Sequence, residues 1–156
     1  MVLQLNDWKF SVDVVATQSS TSVNAKDHCD CSYCKNYYET IVFTYPGILK
    51  FLEQFGVNYQ GPSELMPFEH DYLLACYRVQ GNVLEWGSQP LLADGIPVMP
   101  EIADSESFFL WVGEMDLPWI QNIAPEDVVS PANLPEFLIR MQEVWQLRHN
   151  EELVYY

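Results

Sequence analysis

Three cysteines and a histidine lie close together in this chain, and they are the side chains best suited to chemistry. The stretch KDHCDCSYCKNYY, residues 26–38, contains them as His28, Cys29, Cys31 and Cys34. The whole chain of 156 residues has only four cysteines. Cysteine and histidine bind metals, and cysteine is also a redox group and a nucleophile. The spacing therefore raises three interpretations: a metal site, a redox site, or cysteines that only pack.

A structural zinc site is the first interpretation. Zinc takes four ligands in such sites, and cysteines usually supply them in close pairs. Cys31 and Cys34 have the two-residue gap of a zinc knuckle, but the sequence contains no second Cys-x-x-Cys pair. The ligands that we predict are Cys29, Cys31, Cys34 and Cys76. His28 or His70 is the alternative fourth ligand, and His149 is a further candidate for that position. Four protein ligands would close the site, so the role of zinc would be structural.

A redox pair and simple packing are the alternatives. A Cys-x-x-Cys that opens a helix lowers the pKa of a thiol, as in thioredoxin-like proteins. Those motifs follow a buried strand, whereas a polar stretch precedes the motif here, which argues against redox. In the packing alternative, Cys34 and Cys76 are small core residues, and Cys29 and Cys31 lie in a loop. Packing alone explains a cluster of three cysteines poorly. The sequence therefore leaves two interpretations open, a zinc site and cysteines that bind no metal.

Two carboxylates, Glu114 and Asp116, form the second candidate for chemistry. They follow an apolar stretch, Phe108–Val112, and lie two residues apart, so we expect them on one side of the chain. Such a pair could bind a divalent cation or act as acid and base, but a third ligand is missing. No glycine-rich phosphate loop, His-Glu-x-x-His or Gly-x-Ser-x-Gly motif occurs. We predict no catalytic residue; an enzyme that uses thiol redox or metal-assisted chemistry at these groups is the alternative.

The charge of the chain is strongly negative. Seven basic residues stand against 22 acidic ones, and the net charge is −15. Residues 79–139 contain no Lys or Arg, yet ten acids lie there: Glu85, Asp94, Glu101, Asp104, Glu106, Glu114, Asp116, Glu126, Asp127 and Glu136. Nucleic acids and anionic membranes attract basic surfaces, so neither is an expected partner. We predict a non-enzymatic interaction module whose acidic face engages a basic protein, as a nuclease inhibitor, a toxin-neutralising protein or a DNA mimic would.

The elements that must position these residues begin with a hairpin. Alternation of apolar and polar residues predicts strands at Val2–Leu5 and Trp8–Val15, joined at Asn6-Asp7. The stretch Thr17–Lys26 is rich in Ser, Thr and Asn, which predicts a loop.

Two helices should follow. The first should begin near the cysteines, capped by Asp30 or Ser32, because either side chain can accept from a free backbone amide. The second should span Pro46–Phe55 and end at Gly56.

The second half of the chain predicts more strands. Tyr72–Val79 and Asn82–Trp86 should form a hairpin around Gln80-Gly81. Leu91–Ser107 contains two prolines and should be an irregular connection, before a strand at Ser107–Gly113.

A final helix, beginning near Pro135, completes the prediction. Its apolar residues recur three or four apart: Phe137, Leu138, Met141, Val144 and Trp145. We therefore predict a single globular α+β domain over residues 1–156, in which the N-terminal hairpin, the central helix pair and the C-terminal helix pack with an antiparallel sheet. The N-terminus does not resemble a signal peptide and no apolar run is long enough to cross a membrane, so we expect a cytoplasmic protein.

Overall fold

A mostly antiparallel sheet with three helices forms the described part of the protein, which confirms the α+β class. The structure, a computed structural model, describes residues 1–26, 31–68 and 71–124. Its elements, in chain order, are β1 (Val2–Leu5), β2 (Trp8–Val12), α1 (Val14–Lys26), α2 (Ser32–Thr44), α3 (Pro46–Gln54), β3 (Glu64–Phe68), β4 (Asp71–Glu85), β5 (Leu91–Ala93), β6 (Ile96–Ile102), β7 (Ser107–Val112) and β8 (Met115–Asp116).

The strands are ordered β1-β2-β4-β7-β6-β5, and β3 and β8 also pair with β4. The predicted N-terminal hairpin is present, with Leu5 opposite Trp8. The long strand β4 is the centre of the sheet. Its first part pairs with β3, β7 and β8, and its last part pairs with β2.

The predicted hairpin around Gln80-Gly81 is wrong, because β4 runs straight through both residues. Gly81 has a φ of +150°, which glycine adopts without strain. At this point β4 changes partners: Gln80 lies opposite Ser107 of β7, whereas Gly81 lies opposite Val12 of β2. A Cβ on Gly81 would lie 1.9 Å from the carbonyl oxygen of Ser11, so the glycine allows close approach of β2 rather than a turn.

The predicted irregular connection at Leu91–Ser107 is also wrong, since it contains β5 and β6. The two strands form a tight hairpin through Asp94 and Gly95, whose φ angles are +54° and +78°. Two residues with positive φ suit the twist of a two-residue hairpin. Pro100 lies in β6 beyond the three residues with which β5 pairs, so no bond to β5 is lost there.

The predicted loop at Thr17–Lys26 belongs to helix α1, so that prediction is wrong as well. Asp13 ends the second predicted strand early and caps the helix, because its Oδ1 accepts from the amide of Ala16 at 3.0 Å. Thr17 and Thr21 are fully buried, and each hydroxyl donates to the carbonyl four residues earlier. Tertiary burial, and the bonds that the two hydroxyls accept from the amides of Gln80 and Asn58, outweigh the low helix propensity of threonine.

The central helix pair is confirmed, with α3 starting at Pro46 as expected. Gly56, at a φ of +78°, follows α3 closely and marks its end. The predicted cap of α2 at Ser32 is wrong: Cys31 is the N-cap, and Ser32 is the first helical residue. Asp30, the other predicted cap, lies outside the described residues.

The helices pack on one face of the sheet. Tyr37 and Ile41 of α2 and Leu52 of α3 join Phe10, Tyr77 and other strand residues in one buried cluster. The opposite face carries a smaller cluster of Met66 and Leu74. None of the described helices is long and apolar enough to cross a membrane. The predicted C-terminal helix, from Pro135, lies outside the described residues.

Candidate functional site

Cys31 and Cys34 lie at the two ends of the first turn of α2. Cys31 is the N-cap, with φ −65° and ψ 160°. The amide of Lys35 donates to the carbonyl of Cys31 at 3.0 Å and closes the turn. Both cysteines are partly exposed. Because residues three apart on a helix share a side, the structure brings these two thiols together at the helix N-terminus.

The phenol of Tyr72 lies beside the two cysteines, on the inner side of the helix. Its hydroxyl donates to the carbonyl of Tyr33 at 2.6 Å, and its ring is 1% exposed. Burial raises the pKa of Tyr72 above its usual value of 10, against the opposing effect of a hydrogen bond from Asn36. Negative charge on Cys34 and Cys31 adds to the increase in this pKa. The thiols are therefore close enough to affect a buried group of the core.

Asn36 joins the same helix to two other parts of the chain. The side chain is fully buried. Its Nδ2 donates to the hydroxyl of Tyr72 at 3.4 Å and to the carbonyl of Pro118 at 3.0 Å. Its Oδ1 accepts from the amide of Ile120 at 2.9 Å. One amide side chain thus holds α2, β4 and the segment after β8 in fixed positions.

A second chain of hydroxyl groups lies deeper in the core. Tyr37 and Tyr77 are both fully buried, and their hydroxyls are hydrogen-bonded to each other. Tyr77 donates its only proton to the carbonyl of Tyr59 at 2.7 Å, so Tyr37 must be the donor to Tyr77. Burial raises the pKa of Tyr37 and of Tyr77 above 10, so both phenols stay protonated at alkaline pH values at which an exposed tyrosine ionises.

The other predicted metal ligands are placed differently. Cys76 is buried in β4, opposite Trp111 of β7 and Glu64 of β3. Its neighbour Tyr77 faces the helices, so Cys76 lies on the opposite face of the sheet from α2. His28, Cys29, His70 and His149 lie outside the described residues. Among residues 1–26, 31–68 and 71–124, no three Cys, His, Asp or Glu side chains converge to hold a metal.

Glu114 and Asp116, the second candidate pair, lie just before and at the end of β8. Met115 between them is fully buried, whereas both acids are exposed. Asp116 of β8 lies opposite Asp71 of β4 in the sheet register. These three acids do not form a metal-binding group in the described part of the chain.

Exposed acids are spread over the strands from β4 to β8. Seven of the ten acids between residues 79 and 139 are described, and all seven are exposed: Glu85, Asp94, Glu101, Asp104, Glu106, Glu114 and Asp116. Two of them pair with cations from outside this stretch, Glu85 with Lys9 and Asp104 with Arg78. Hydrogen bonds from the amide of Glu106 and the side chain of Ser107, together with Arg78, lower the pKa of Asp104. We call these seven residues the acidic surface.

Large apolar side chains that directly follow two of these acids in the sequence are also exposed. Trp86 follows Glu85 and is 52% exposed, and Ile102 follows Glu101 and is 61% exposed. The ring of Trp86 lies 5.5 Å from that of the buried Trp8.

Hydrogen bonds fix the loop after Trp86. Trp8 Nε1 donates to the carbonyl of Gln89 at 2.7 Å, and Asp7 Oδ2 accepts from the amide of Ser88 at 2.9 Å. The bonds from Ser88 also lower the pKa of Asp7. Trp86 is thus an exposed aromatic ring at the start of a well-held loop.

The residues with the most hydrogen bonds around α2 are not apparent from the sequence. Asn36, Tyr72 and Tyr77 showed only as members of apolar or polar patterns, and their bonding depends on which strands meet α2. The one signal present was Asn36 itself, a polar residue on a helix face otherwise rich in aromatics. The described arrangement offers a thiol pair and an acidic surface as features that could carry function. Comparisons of the chain with known protein families, with functionally characterised proteins and with solved structures give no significant match.

Proposed function

We propose that this protein is a non-enzymatic interaction module that binds a basic protein through the acidic surface. The observation that carries the proposal is the 61-residue stretch from residue 79 to residue 139 without Lys or Arg, in which every described acid is exposed. A surface with one sign of charge attracts a partner of the opposite sign and speeds their encounter.

The exposed apolar residues that follow these acids in the sequence support a protein partner rather than a small cation. Protein interfaces combine charged rims with aromatic anchors, and tryptophan is enriched among residues that dominate binding energy. Trp86 is such an exposed aromatic residue, since it follows Glu85 in the chain and is 52% exposed. The bonds of Asp7 and Trp8 to the following loop reduce the entropy that ordering this region on binding would cost.

A capture experiment with matched charge variants tests the proposal. The purified protein is immobilised and exposed to a lysate of its source organism at low salt and at about 1 M salt, where the Debye length falls to about 3 Å. We expect a basic protein to be retained at low salt and released at high salt. The double variant Glu101→Lys/Glu106→Lys should lose this partner.

The control variant is Glu39→Lys/Glu53→Lys, which changes two exposed acids of α2 and α3. Both double variants raise the net charge from −15 to −11, because each Glu→Lys adds two units. Loss of the partner from both variants alike would show that net charge alone causes retention. If no basic protein binds the wild type at low salt, the proposed function is wrong.

A further inference from the structure

The first turn of α2 brings two thiols into a position from which they can join. Cys31 is the N-cap and Cys34 lies three residues later, in the turn closed by the bond from Lys35 to Cys31. A disulfide needs Cα atoms about 4.4–6.8 Å apart, a separation that residues one helical turn apart provide. Both side chains are partly exposed, so a small reagent can reach them.

The two cysteines also differ in chemical character. A thiolate at the N-cap of a helix lies at the positive end of the helix dipole, which stabilises its negative charge. Cys31 has this position in α2. Cys34, within the turn, is placed to attack a sulfur attached to Cys31. We propose that Cys31 and Cys34 form a reversible disulfide and make the start of α2 sensitive to the thiol–disulfide state of its surroundings.

The reaction takes place by exchange with a small-molecule disulfide, RSSR. The Cys31 thiolate attacks one sulfur of RSSR, forms the mixed disulfide and releases one RS⁻, which takes up a proton as RSH. The Cys34 thiolate then attacks the Cys31 sulfur, forms the Cys31–Cys34 bond and releases the second RSH. Two protein thiols are oxidised and one RSSR is reduced to two RSH, so electrons and protons balance. Excess dithiol reverses both steps.

The bond would act on the core through the groups next to it. It would tie the N-cap to the first turn and so oppose fraying of the turn that holds the Tyr33 carbonyl against the Tyr72 hydroxyl. The inference does not depend on the proposed function, because the acidic surface contains neither cysteine.

The test uses the full chain, equilibrated in buffers of reduced and oxidised glutathione, quenched with acid and alkylated. Cleavage after Lys26 and Lys35 yields a peptide of residues 27–35 that contains Cys29, Cys31 and Cys34 but not Cys76. In the Cys29→Ser variant, only the proposed pair remains in this peptide. We expect this peptide to lose two hydrogen masses, to resist alkylation, and to regain both thiols with excess dithiol.

Two further measurements complete the test. In Cys31→Ser and in Cys34→Ser, the partner cysteine should carry a glutathione adduct instead of a disulfide. In the oxidised wild type, the amide of Lys35 should exchange with solvent at least several-fold more slowly than in the reduced protein. Far-UV circular dichroism checks that each variant is folded.

Three results would overturn the proposal. The first is a disulfide that joins Cys29 to either cysteine in the wild type and leaves the Cys29→Ser variant without a bond. The second is a Cys29→Ser protein that collects glutathione adducts but forms no intramolecular bond. The third is a protein purified with one zinc per chain, whose Cys31 and Cys34 resist oxidised glutathione until a chelator is added.

Discussion

The buried hydroxyl chain of Tyr37 and Tyr77 predicts that two Tyr→Phe changes will have unequal costs. Tyr37 donates to Tyr77, and Tyr77 donates to the carbonyl of Tyr59. Tyr37→Phe removes the first donor and leaves the bond from Tyr77 to Tyr59 in place. The free energy of unfolding should fall by about 0.5–1.5 kcal/mol, the net value of one hydrogen bond.

Tyr77→Phe removes the middle hydroxyl of this hydrogen-bonded series and should lower the free energy of unfolding further. It leaves the fully buried hydroxyl of Tyr37 without an acceptor and the carbonyl of Tyr59 without this donor. A buried polar group without a partner costs about 1–3 kcal/mol, so the free energy of unfolding should fall by about 2–4 kcal/mol. In the double variant, the change at Tyr37 removes the orphaned hydroxyl. The double variant should therefore be about 1–2 kcal/mol more stable than the sum of the single changes predicts.

Urea unfolding of the four proteins, with equal slopes against denaturant, measures these free energies. The order of the two single variants is the critical result. If Tyr37→Phe costs as much as Tyr77→Phe, or if the two costs simply add, the direction of donation deduced from the structure is incorrect.

Three more predictions concern stability. Burial raises the pKa of three tyrosines, Tyr72 among them, above the value of 10 that they have when unfolded, so their contribution to stability should be complete below pH 10 and fall above it. In urea unfolding above pH 10, the free energy of unfolding should decrease by up to about 1.4 kcal/mol per pH unit for each tyrosine, and Tyr72→Phe should reduce this decrease. Asn36→Ala should lower the free energy of unfolding by about 2–4 kcal/mol. It should also make the amide of Ile120 exchange its hydrogen faster with solvent, and an unchanged exchange rate would contradict the role of Asn36. Gly81→Ala should lower the free energy of unfolding by more than about 3 kcal/mol in thermal or urea unfolding, because the new Cβ would collide with the backbone of β2. Gly95→Ala, with open space around its Cβ, should lower it by only about 1 kcal/mol, and equal costs would refute the close-approach explanation.

The local sequence pattern correctly predicted those elements whose secondary structure is not changed by packing against distant parts of the chain. The β1–β2 hairpin and α3 were readable because their periodicity, turn residues and Pro46 all indicate the same structure. Gly81 shows where this fails. A glycine after Gln80 has the same local signature whether the chain turns or a second strand approaches closely, and only the position of β2 distinguishes the two. A segment distant in the sequence, β2, thus decides between a turn and a close approach.

Helix α1 shows a second limit of the sequence. Its Ser and Thr residues favour non-helical structure by their own propensity. Thr17 is also a contact between elements, because its hydroxyl accepts from the amide of Gln80 at 3.0 Å while donating to the carbonyl of Asp13. The same applies to Thr21, which accepts from the amide of Asn58 at 3.1 Å. Thr17 and Thr21, which in the sequence appear to belong to a loop, are thus buried connectors between α1 and the rest of the fold.

Part of the candidate site can be predicted from the sequence, and part of it depends on distant segments of the chain. The Cys-x-x-Cys spacing is visible in the sequence, and so is the tendency of a helix to begin there. The buried side of that turn is not visible, because Tyr72 reaches it from a strand 38 residues after Cys34 along the chain. This neighbour decides what a change at the cysteines can do. A thiol pair on an isolated exposed turn would affect only itself, whereas here the turn carries the acceptor of a buried tyrosine, and Asn36 lies one turn further along the same helix. A chemical change at Cys31 or Cys34 is therefore positioned to affect the packing between α2 and β4.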